Sequence, residues 1–109
     1  MYNVNITESA EQDLSDAATY ISRTLSNKTA ANRLLDKADN AAASLSENPT
    51  RQPLVKDEFL AANGLRFLPV NNYMLFYVVR DKAKTVNIIR FVHRRRDWNR
   101  LLTEMIKEE

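Results

Sequence analysis

A chain of 109 residues, 44% hydrophobic and 28% charged, is long enough for one core and too short for two. It holds no cysteine and a single histidine, which excludes disulfides, thiolate chemistry and cysteine-based metal sites and leaves little with which to build a zinc centre. The net charge of +2 hides an asymmetry, because residues 1–50 carry four Lys/Arg against seven Asp/Glu and residues 51–109 carry twelve against seven. An anionic partner would therefore meet the second half, with the first half serving as scaffold.

The first residues, MYNVNITESAEQDL, have neither a basic n-region nor an apolar h-region, and no window approaches about 18 apolar residues. The expectation is a cytoplasmic protein with no membrane partner. Tyr2, Val4 and Ile6 alternate with Asn3 and Asn5, which predicts a short half-buried strand. Thr7 or Ser9 can cap the helix that follows, and Glu8, Glu11 and Asp13 suit its positive end. Ala10, Leu14, Ala17, Ile21 and Leu25 form its apolar stripe. Ser26-Asn27 breaks the pattern. A second helix starts near Thr29, buries Ala31, Leu34, Leu35, Ala38, Ala42 and Leu45, and stops at Asn48-Pro49. So short a break predicts an αα-hairpin.

A loop bounded by Pro49 and Pro53, then an Asn63-Gly64 turn, leads to three β-rich runs: Leu65–Val70, Tyr73–Arg80 and Thr85–Val92. Asn71-Asn72 and residues 81–84 separate them at hairpin distances, so an antiparallel meander is expected. Trp98 to Lys107 reads as a last short helix with Asp97 as N-cap and Leu101, Leu102, Met105 and Ile106 apolar. The predicted fold is α+β, a single domain over residues 1–109. Its order is N-terminal strand, helical hairpin, antiparallel three-stranded meander and short C-terminal helix, with the hairpin on one face of the sheet.

The stretch Ile88–Leu102, IIRFVHRRRDWNRLL, concentrates the candidate chemistry. Arg90, Arg94, Arg95, Arg96 and Arg100 lie among or after core residues, beside the one His (His93) and the one Trp (Trp98). Guanidinium groups grip phosphates bidentately and stay charged at physiological pH, so such a cluster can hold a polyanion. The same cluster could be the charged end of a sheet that holds a protein. Arg66 and Arg90 fall inside apolar strands, so each must pair with a carboxylate or face an open side; Asp97, Asp57 and Glu58 are the candidate partners. His93 is either an acid–base residue or a strand-end ring bonded to backbone. Trp98 is either a stacking platform or a core residue. Tyr73 and Tyr77 share a strand face with Leu75 and Val79, which favours packing for both.

The order of elements resembles the RelE/ParE superfamily of bacterial type II toxin–antitoxin modules. So do four strings: Ala10-Glu11-Gln12-Asp13-Leu14, Asn63-Gly64-Leu65-Arg66, Tyr73-Met74-Leu75-Phe76-Tyr77 and Ile89-Arg90-Phe91-Val92-His93-Arg94-Arg95-Arg96-Asp97. The resemblance spans nearly the whole chain. It implies a growth-arresting toxin of a plasmid-stabilisation module, without cofactor or metal, neutralised by a cognate antitoxin in a hetero-oligomer. It also implies one of two targets. RelE-like members cut mRNA on the ribosome by attack of a ribose 2′-OH on the adjacent phosphate, which needs a base, an acid and cations. ParE-like members inhibit DNA gyrase and cut nothing. In the nuclease branch the string matching Tyr73–Tyr77 carries an arginine where Met74 stands here, and a pair of lysines becomes Arg66 and Leu68. A thioether cannot stabilise a phosphorane. The ParE-like branch is therefore favoured, with Arg66, Arg90, Arg94, Arg95, Arg96, Trp98 and Arg100 as target- or nucleic-acid-binding residues. The alternatives are an mRNA endonuclease using Arg66, His93 and Arg95, and a non-catalytic binding module.

Overall fold

Alternation and capping set the elements. In the computed structural model, which describes residues 1–108, the order is β1 (Asn3–Ile6), α1 (Glu8–Thr19), a π-turn (Tyr20–Thr24) and α2 (Lys28–Ser44). A 3₁₀ turn (Pro49–Arg51), α3 (Glu58–Ala62), β2 (Leu65–Val70), β3 (Tyr73–Arg80), β4 (Thr85–His93) and α4 (Trp98–Lys107) follow. Polar residues cap every α-helix: the side chains of Thr7, Asn27, Asp57 and Asp97 accept from the N–H groups of Ala10, Ala30, Leu60 and Arg100. Each cap satisfies one of the four N–H groups that a helix start leaves free. The Asp57 carboxyl is held below its usual range by the Leu60 N–H and then by the Asn99 side chain.

The strands form one sheet in the order β1-β4-β3-β2. The predicted meander is present, with β2–β3 and β3–β4 antiparallel, and β1 joins its β4 edge in parallel. Pro69 is tolerated because β2 is an edge strand, where a missing N–H need break no ladder. On one face α1 and α2 cover Val70, Leu75, Tyr77, Val86, Ile88 and Phe91. The opposite face, carrying Leu65, Met74, Phe76, Val78 and Val92, is covered by Leu60 of α3 and Leu102 of α4. The sheet is thus sandwiched between two helical layers.

Three features differ from the sequence reading. Leu25 is 56% exposed instead of closing the α1 stripe. The π-turn explains this: the Leu25 N–H bonds back to the Tyr20 carbonyl, and the wider turn rotates the chain out of phase. The second helix ends at Ser44, ahead of Asn48-Pro49, because Asn48 is left-handed (φ 46°) and Pro49 opens a separate turn. The loop after Pro53 contains α3, which stops at Gly64, whose φ of 81° an L side chain adopts only with strain. Among the described residues, no helix is long and apolar enough to cross a membrane.

Candidate functional site

The basic cluster grows out of the end of β4. His93 is the last residue paired with β3, opposite Tyr73. Beyond it the chain turns tightly: the Arg94 N–H donates to the Asn72 carbonyl (2.8 Å) and the Arg96 N–H to the His93 carbonyl (3.0 Å). The Arg95 N–H donates to His93 Nδ1 at 3.1 Å. With its own backbone thus committed, the turn exposes the side chains of Arg94, Arg95 and Arg96 to solvent. Tyr73 stacks on Phe91 at 4.8 Å and meets the His93 ring edge-on at 5.1 Å. Burial pushes the Tyr73 phenol up, and nearby Tyr20 adds to the shift. Tyr73, His93, Arg96, Asp13 and Asp16 line a shallow groove of about 200 Å³ beside the turn.

The remaining candidates go elsewhere. Arg90 is not bound to Asp97, Asp57 or Glu58; its guanidinium forks onto Asp13 of α1, Nε to Oδ2 at 2.7 Å and Nη2 to Oδ1 at 2.9 Å. A signal for this partner lay in the sequence, since Asp13 falls on the same helix stripe as Ala10 and Ala17, where a carboxylate needs a cation. Arg66 meets no carboxylate among the described residues either, and donates to the Gln52 carbonyl. Arg100 pairs with Glu104 at 3.1 Å on the open surface of α4, a contact worth little. Trp98 packs half-buried against Phe76, ring centroids 5.2 Å apart, and its outer edge lines an apolar groove of about 640 Å³ with Pro53, Leu54 and Phe67.

The residues a nuclease would need are not brought together. Arg66 pairs with Tyr77 and His93 with Tyr73, so the two lie two strands and four residues apart, roughly 16 Å at about 4.8 Å per strand and 3.3 Å per residue. Met74 points to the other face, into the core under α4. His93 and Arg95 are neighbours in the turn, without Arg66.

The family described as "ParE toxin of type II toxin-antitoxin system, parDE" matches residues 4–98. The chain belongs to the ParE toxin family. Its match spans the basic turn and ends at Trp98, so Arg100 is the one candidate outside it. No curated protein matches this sequence. Solved structures that share the fold include the following three. A chain of the chromosomal ParDE TA system from P. aeruginosa is 17% identical, with 85% of this chain and 96% of that one covered and a TM-score of 0.69. One from the toxin–antitoxin complex RelBE2 of Mycobacterium tuberculosis is 26% identical, with 85% and 98% covered and a TM-score of 0.63. The isolated E. coli RelE toxin is 16% identical, with 99% and 98% covered and a TM-score of 0.57. In this ParE-family chain three consecutive exposed arginines, Arg94, Arg95 and Arg96, stand at the end of β4 beside His93.

Proposed function

We propose that this ParE-family toxin arrests growth by binding DNA gyrase through the Arg94–Arg96 turn, and that a cognate antitoxin neutralises it. One observation supports a binding over a cutting mechanism: His93 and Arg95 adjoin in the turn, but neither Arg66 nor the position of Met74 joins them. Arg66 is tied to Gln52 and lies far across the sheet from His93, while Met74 is buried on the opposite face. Catalysis of 2′-OH attack needs acid, base and cation within hydrogen-bond reach of one phosphate. Binding needs an exposed cluster of cations, and the turn, its backbone N–H groups bonded, holds three arginines in solvent. Relatives solved as toxin–antitoxin complexes support the antitoxin as partner.

A ribosome-dependent nuclease is the second reading, favoured by His93, Arg96 and Tyr73 sharing one groove. Two parallel assays on the purified toxin separate the readings. The first measures gyrase-dependent DNA cleavage complexes and supercoiling, and the second measures mRNA cutting on programmed ribosomes. Gyrase inhibition without RNA cutting is expected. Ribosomal cutting that His93→Ala abolishes would overturn the proposal.

A further inference from the structure

The outer edge of β4 loses its strand partner beyond Ile88, because β1 ends at Ile6. Thr7 covers the next two carbonyls, its N–H donating to Ile88 O (3.0 Å) and its hydroxyl to Ile89 O (3.2 Å). The Phe91 N–H then donates to Oδ2 of Asp13 at 2.9 Å. That carboxylate also takes both bonds from Arg90, so three donors of one strand segment converge on one side chain of α1. The ion pair is largely withdrawn from water, its side chains 16% and 14% exposed.

The segment so held is a β-bulge. Tyr77 pairs with Ile88 and Phe76 with Arg90, which leaves Ile89 as an additional residue in β4. Strand side chains alternate faces, so one additional residue reverses the facing of everything after it. Ile88 faces α1 and α2; with the bulge, so do Phe91 and His93, while Val92 faces α4. Without it, Phe91 and His93 would turn towards α4. The direction in which Arg94–Arg96 leave the sheet therefore depends on this bulge.

We propose that Asp13 is a positioning residue for the basic turn. By holding Arg90 and the Phe91 N–H it fixes the bulge, and through the bulge it orients Arg94–Arg96 towards the target. This rests on the reading of that turn as the target contact. It also gives Arg90 a role distinct from the open arginines, since its guanidinium is spent inside the molecule.

Growth arrest at matched toxin levels tests this without assuming which target is hit. The variants are Asp13→Ala, the triple Arg94→Ala/Arg95→Ala/Arg96→Ala, and the combination, each first shown to be folded by circular dichroism. Asp13→Ala and the triple should each raise the toxin level needed for arrest by roughly tenfold. The combination should be no weaker than the triple, since a residue acting only through the turn has nothing left to act on. Wild-type potency of folded Asp13→Ala, or a loss that adds to that of the triple, would overturn the proposal while leaving the turn as target contact. Full potency of the triple removes the target-contact reading and this proposal with it. Asp13→Asn, which keeps an acceptor for Phe91, replaces the alanine variant if that one does not fold. Hydrogen exchange of the wild-type toxin decides independently of any variant. Phe91 protected to the level of the central β3 amides supports the device, and exchange at the rate of an open edge refutes it.

Discussion

Met74 is 8% exposed and belongs to the core cluster of Leu65, Phe76, Val92 and Leu102. An arginine there would bury a guanidinium among apolar side chains, and among the described residues no polar or charged residue is buried to meet it. Met74→Arg should therefore cost about 3–5 kcal/mol in urea unfolding and should create no RNA cleavage on ribosomes. A folded Met74→Arg toxin that cuts mRNA would contradict the binding mechanism. Tyr77 shows the opposite case, a buried polar group with its partner in place. Its hydroxyl donates to the Pro49 carbonyl at 2.7 Å, tying β3 to the turn after α2. Tyr77→Phe leaves that carbonyl without a donor and should cost about 1–3 kcal/mol by the same measurement. Burial raises the Tyr77 phenol above its usual 10.0, with Arg51 and Arg66 pulling the other way. The unfolded chain thus ionises first, so the protonated form contributes fully below pH 10 and its contribution is lost as pH rises through the folded value. Alkaline destabilisation should be shallower in Tyr77→Phe, with Tyr73, raised in the same direction, supplying what remains.

Elements were legible where they depend on near neighbours. The limits of β2, β3 and α4 follow from alternation, Asn and Gly turns and the Asp97 cap, and the structure has all three as read. What escaped depends on contacts across the chain. The pairing of β1 with β4 joins residues about 80 positions apart, and Arg90 finds Asp13 77 positions away. The short α3 and the π-turn are local, but each is too brief to develop a periodicity. The candidate site was legible by residue type and not by grouping, because an arginine in a strand reveals a need for a partner without naming one. The apolar stripe of α4 holds it on the sheet. Leu102 is fully buried, Trp98 packs on Phe76, and Asn99 donates to Asp57 at 3.0 Å. Leu102→Ala should cost about 2–5 kcal/mol, read from the denaturation midpoint at constant m-value. Amides of α4 should then exchange faster than those of β3, as expected for a layer held by few residues.

Across the whole molecule the charge asymmetry takes a definite form. Asp13 is matched by Arg90, so the acidic first half contributes Asp16 to the groove beside the turn, while Arg94, Arg95 and Arg96 face solvent with no ion-pair partner among the described residues. Exposed cations of this kind act over a Debye length, about 10 Å at 0.1 M salt and about 3 Å at 1 M. They should speed encounter with an anionic target more than they slow its release, because rim charges govern association. The toxin's association rate with its target should fall by roughly tenfold or more between low and high salt, with the dissociation rate changing little. In the triple Arg94→Ala/Arg95→Ala/Arg96→Ala variant that slope should flatten, since the charges being screened are gone. Stopped-flow association at several salt concentrations measures both slopes. Equal slopes would mean that the turn is not what the target meets first, and would move the search to the apolar groove bounded by Pro53, Leu54, Phe67 and Trp98, where salt has little to screen.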